Sequence, residues 1–132
     1  MNILIIEDDE MLAGILLFKL NAAGHKVHLA YDGKKAVDIV LDNQVDLVIC
    51  DLMVPVISGV AFLVVRKKFM SLKVPVIVMS ALENGEETLR NLDVDFRAFI
   101  QKPIDYEKLF ELVESCGKAG NEEIETSATG TY

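Results

Sequence analysis

Carboxylates, a hydroxyl and an amine that could share one chemical task stand at the ends of separate apolar runs. Met1-Asn-Ile-Leu-Ile-Ile6 ends in Glu7-Asp8-Asp9, Val45 to Cys50 ends in Asp51, Val74 to Met79 ends in Ser80, and Phe96 to Ile100 is followed by Gln101-Lys102-Pro103. Carboxylates brought together repel one another unless a cation shares them, and an all-oxygen donor set suits a hard divalent ion, Mg²⁺ or Mn²⁺. A lysine beside that ion would add a fixed positive charge, and a serine a donor, for an incoming anionic group. A carboxylate, a divalent cation, an ammonium and a hydroxyl in one crevice are the parts that stabilise charge on a phosphoryl group in transfer. Asp51 would then be the nucleophile and an acyl phosphate the product.

These groups can meet only if the apolar runs lie side by side and point the same way. Val-Leu-Val-Ile-Cys before Asp51, flanked by charged residues, reads as a strand buried on both faces, as in a parallel sheet. In such sheets the crevice beyond the carboxyl ends of the strands is where ligands bind. The segments between the runs have helical spacing. Met11 to Asn21 is closed by Gly24; Ala36 to Leu41 follows a turn at Asp32-Gly33; Val60 to Met70 follows Ser58-Gly59; Glu83 to Leu92 is polar and acid-rich; and Tyr106 to Cys116 is amphipathic. Lys26 to Tyr31 alternates like a more exposed strand. Strands and helices in alternation require right-handed crossovers, with helices on both faces of the sheet. The expected fold is therefore α/β, a doubly wound flavodoxin-like (βα)5 unit with a five-stranded parallel sheet in the order 2-1-3-4-5. The domain is expected over residues 1–117, with residues 118–132 a disordered tail or linker stub.

A chain of 132 residues with 52% hydrophobic content is long enough for one domain with its own core. No stretch approaches the roughly 18 to 20 apolar residues of a membrane span, so a soluble, cytoplasmic protein is expected. A net charge of -8 argues against direct nucleic-acid binding, which needs clustered Lys and Arg, and suits a cation or a basic partner surface. Cys50 and Cys116 lack metal or redox spacing. His25 and His28, near the second strand, stand away from the carboxyl edge, and Asp9 reads as a helix N-terminal acid.

Glu7-Asp8, Asp51, Pro55 with Gly59, Ser80-Ala81 and Lys102-Pro103, each in order along the chain, give it a resemblance to the receiver domains of two-component response regulators. The resemblance runs from Met1 to about Gly117. It implies a phosphorelay protein rather than an enzyme. Asp51 would accept a phosphoryl group from a sensor histidine kinase or a histidine phosphotransfer protein. Asp8, Asp51 and the backbone carbonyl of Met53 would ligate Mg²⁺, with Glu7 acting through water and Mn²⁺ able to substitute. Lys102 would pair with the phosphoryl oxygens and Ser80 would follow the phosphate. Phe99 would turn inward behind Ser80, and the Lys102–Pro103 bond would be cis. With no output domain after residue 117, the downstream effector would be a separate protein unless the chain is a fragment of a longer regulator or hybrid kinase, and phosphorylation could drive homodimerisation. Met1 directly before the first strand reads as a true N-terminus.

The alternative is a receiver-like scaffold that binds partners constitutively without taking phosphate. A flavin-binding protein of the same sheet order would need a Ser/Thr/Gly-rich phosphate loop where Glu7-Asp8-Asp9 stands. A Mg²⁺-dependent phosphohydrolase with an aspartyl nucleophile would carry a second acid where Met53 stands. Met53 and Leu82, two residues past Asp51 and Ser80, would place apolar side chains near an attacking water and slow hydrolysis of the acyl phosphate.

Overall fold

The computed structural model describes residues 1–53, 61–63, 66, 74–92 and 94–119. Pro55, Ser58, Gly59, most of the helix expected over Val60 to Met70, and the segment beyond residue 119 lie outside them. The described elements are β1 (Asn2–Ile6), α1 (Glu10–Ala22), β2 (Lys26–Ala30), α2 (Gly33–Asp42), β3 (Leu47–Asp51), β4 (Val76–Ser80), α3 (Gly85–Asn91), β5 (Ala98–Gln101) and α4 (Tyr106–Ala119). Residues 61–63 and 66 are helical and stand between β3 and β4.

All the strands are parallel, in the order β2-β1-β3-β4-β5, as the alternation of the sequence predicts. Strand alternation sends successive side chains to opposite faces, and each face has its own core. Ile3, Ile5, Ile49, Ile77 and Met79 pack with Leu12 and Leu16 of α1 and Leu109 and Val113 of α4. Leu4, Ile6, Val48, Cys50 and Val78 pack with Ala36 and Ile39 of α2, with Phe62 and Leu63, and with Leu89 of α3. β3 and β4 are buried along their whole length, which is why they read as unbroken apolar runs.

Element ends follow their caps, some as the sequence reading expects and some not. Asp32-Gly33 is no free turn. The Asp32 side chain accepts from the Lys35 N–H at 2.8 Å, which makes Asp32 the N-cap and Gly33 the first residue of α2. Asp9 caps α1 in the same way, accepting from Met11 and Leu12. Gly24, with φ 95°, takes the left-handed conformation just past α1. α4 runs beyond Cys116 to Ala119. β5 begins at Ala98 rather than Phe96, whose ring packs instead into the core with α3.

Candidate functional site

Strand register fixes which side chains meet at the carboxyl edge. Ile6 pairs with Cys50, so the next residues, Glu7 and Asp51, leave adjacent strands together. Asp51 pairs with Met79, and Ser80 with Gln101, which brings Lys102 alongside: its N–H donates to the Ser80 carbonyl at 2.8 Å. The Lys102–Pro103 peptide bond is cis.

Lys102 Nζ donates to Asp51 Oδ2 at 2.7 Å and to Glu7 Oε1 at 2.8 Å. Glu7 and Asp51 are only 1% and 5% exposed, so each needs compensation for the water it has lost. The remaining oxygens find backbone donors. Asp51 Oδ1 accepts from the Met53 N–H at 2.8 Å, and Glu7 Oε2 accepts from the Asp9 N–H at 3.1 Å. Asp8 is exposed at the mouth. Glu7, Asp8 and Asp51 can each present a carboxylate oxygen within 4.8 Å of the others. Three acids against one ammonium leave negative charge in excess. The donor set is oxygen only, which fits a hard divalent cation and not a soft one.

Burial pushes the Glu7 carboxyl above its ordinary pKa, and the bonds to Lys102 and Asp9 offset that only in part. For Lys102 burial works to lower the pKa, but the hydrogen bonds to Asp51 and Glu7 outweigh it, and its pKa is raised. The ammonium therefore stays charged where it is. Burial first, then the charges of Asp51 and Glu7, push the Cys50 thiol up as well, so it takes no part as a thiolate.

Ser80 is fully buried at the end of β4, its Oγ accepting from the Leu82 N–H at 3.0 Å. Phe99 is half-buried on β5 against the core shared with α2 and α3, and its ring lies over the backbone of Gly85. Met53 and Leu82 expose apolar side chains near the edge. His25 is at the opposite end of the sheet, where its Nε2 lies 3.6 Å from Glu114. Three features escaped sequence reasoning: the Lys102 bridge to Glu7, the Met53 amide on Asp51, and the seat of Phe99 on Gly85. The first depends on strand register and the second on the local path of the chain after β3, and a lone glycine before a short helix carries no signal of what it touches.

The sequence model of the response regulator receiver domain matches residues 3–114. A response regulator of Staphylococcus haemolyticus, ArlR, is 32% identical over 114 residues, covering 86% of this chain. The chain spans about half (51%) of that relative's length. Among solved structures, the receiver domain of the Francisella response regulator 1452 superposes with a TM-score of 0.82 at 27% identity, covering 90% of this chain and 98% of that one. The response regulator TrrA of Thermotoga maritima, in complex with Mg²⁺-BeF, gives 0.74 at 25% identity, covering 87% and 97%. The receiver domain of a signal transduction histidine kinase from Syntrophus aciditrophicus gives 0.80 at 26% identity, covering 92% and 94%. Among the described residues no helix is long and apolar enough to cross a membrane.

Proposed function

The chain belongs to the response regulator receiver domain family, and on that premise we propose that Asp51 is the phosphoacceptor of a phosphorelay, taking its phosphoryl group from a sensor histidine kinase or a histidine phosphotransfer protein. The observation that carries this reading is the Lys102 ammonium held between the buried Asp51 and Glu7 carboxylates, with Asp8 at the mouth.

An Asp51 oxygen attacks phosphorus, the P–N bond to the donor histidine breaks, and its electron pair returns to the imidazole, which leaves neutral from its protonated phosphohistidine form. Glu7, Asp8, Asp51 and the Met53 carbonyl would hold Mg²⁺, with Glu7 reached through water and Mn²⁺ able to substitute; the ion supplies positive charge to the phosphoryl oxygens. Lys102 is already charged and beside Asp51, so it needs little rearrangement to meet those oxygens. Ser80 follows the phosphate, and Phe99 turns into the space behind it, altering the face formed by α3, β5 and α4. That face would act on a downstream effector, which is a separate protein or, given the greater length of the curated relative, another domain of the same regulator. Phosphorylation-dependent homodimerisation and a cytoplasmic location belong to the same reading.

The test is intact mass after incubation with acetyl phosphate and Mg²⁺. The expected result is one phosphoryl adduct, lost with EDTA and lost in Asp51→Asn. A folded protein that binds Mg²⁺ yet gains no adduct overturns the reading in favour of the non-phosphorylated scaffold.

A further inference from the structure

A groove of about 390 Å³ lies between the starts of α3 and α4, one residue along the chain from Lys102. Phe99, Ile100 and Pro103 supply its apolar lining, and Glu83, Glu86, Gln101 and Asp105 its polar lining, with Lys108 as its one lining cation. Glu86 accepts from Arg90 at 2.6 Å, and one oxygen of Asp105 accepts from the Lys108 N–H at 3.1 Å. Glu83 is exposed in the turn before α3 and has no hydrogen-bond or ion-pair partner among the described residues. Gly85 gives the apolar lining its shape. A Cβ at that position would stand 2.7 Å from Phe99 Cζ and 3.1 Å from Cε2, so the ring lies across the groove only because residue 85 has no side chain.

We infer that this groove docks a basic segment of a partner protein. A Lys or Arg side chain lays its aliphatic stem over Phe99 and Pro103 and carries its charge to Glu83 and Asp105. An aromatic ring and a proline beside carboxylates suit a long cationic side chain, which hides its methylenes and keeps its head wet. An acidic segment would meet Glu83 and Asp105 as well as Glu86, which Arg90 already pairs, against the Lys108 ammonium, on a chain whose net charge is -8. The inference builds on the phosphorelay reading by naming the chemistry of the partner. Phe99, in the groove lining, and Lys102, the crevice ammonium, share one short stretch of chain, so a change at Asp51 reaches the groove through covalent neighbours.

Fluorescence anisotropy with a labelled amphipathic Lys/Leu peptide, and with a Glu/Leu peptide of equal length, tests it at near-physiological ionic strength. The Lys/Leu peptide alone should bind. Glu83→Gln with Asp105→Asn, which keeps the side-chain oxygen that accepts from the Lys108 N–H, should weaken it by roughly fivefold or more, from the loss of the two carboxylates that meet the cation. Asp38→Asn with Asp42→Asn removes the same charge from the exposed side of α2 and should change binding by less than about twofold. Equal weakening in the two variants, or equal binding of the Glu/Leu peptide, overturns the inference. The same samples are weighed after acetyl phosphate treatment. An adduct without discrimination between the variants overturns the docking and leaves the phosphorelay standing, whereas discrimination without an adduct supports the docking and overturns the phosphorelay alone.

Discussion

Asp46 and Asp51 stand at opposite ends of the same strand, and their surroundings differ in the balance of charge. At the amino end, Asp46 is half-buried and accepts the Asn2 amide at 2.8 Å, joining β1 to the loop before β3. Nearby, His25 Nε2 lies 3.6 Å from the exposed Glu114. Asp46 there has a backbone donor of its own. At the carboxyl end, Glu7 and Asp51 are buried more deeply and share a single ammonium, with Asp8 adding a third carboxylate. The comparison teaches that a polar group matched one to one closes the fold, whereas an excess of one charge is stabilised only by something from outside. A divalent cation and a phosphoryl group are together the kind of guest that such an excess accommodates.

The sharpest way to break the comparison is to remove one acid from each end. Asp51→Asn should abolish the phosphoryl adduct in intact mass while leaving the fold in place. Asp46→Ala should leave the adduct intact. If Asp46→Ala also abolished phosphorylation, the two ends would not be functionally distinct.

Next in size is the effect of the shared ammonium on the metal. Lys102→Met should tighten Mg²⁺ binding by about tenfold in calorimetry, because the carboxylates lose a competing cation close by. It should also destabilise the metal-free protein by about 2 kcal/mol in urea unfolding, since Glu7 and Asp51 are left buried without their counter-charge. Unchanged or weaker Mg²⁺ affinity would show that Lys102 does not compete for those oxygens.

A smaller change is expected from the apolar gate. Met53→Asn with Leu82→Glu should shorten the lifetime of the acyl phosphate by roughly tenfold, because a polar pair admits and orients the attacking water. Equal lifetimes would sink that idea. The amino end returns in a stability measurement, where Asp46→Ala should cost about 1 kcal/mol, from one backbone donor left without its acceptor. An unchanged urea midpoint would remove Asp46 from the account of how that end is closed.

The least change should be seen at the thiols. Cys50 and Cys116 are buried and their pKa values are raised, so at pH 8 each holds less thiolate than an ordinary cysteine. Ellman's reagent should leave both unmodified over minutes in the native protein and titrate both in guanidinium. Native labelling of Cys50 would show that β3 is more open than its burial indicates.

Much of this molecule was legible in residue order. The unbroken runs of β3 and β4 declared strands buried on both faces, the intervening helical periods required crossovers, and the strand order followed. The acids, the hydroxyl and the amine could be assigned to one edge because parallel strands all end on the same side. Asp9 could be read as a cap from its place before an apolar helical stretch.

What the tertiary structure decided is pairing across long separations. Nothing in the order of residues says that Lys102 reaches Glu7 as well as Asp51, because that depends on how far β5 stands from β1 across β3 and β4. Nor could the order show that Gly85 lies beneath the Phe99 ring. Periodicity along a chain determines which face of an element is buried, and so which elements can form a sheet. Ångström contacts between elements arise only when register and packing bring distant residues together, and at this carboxyl edge those contacts place one ammonium between two buried carboxylates.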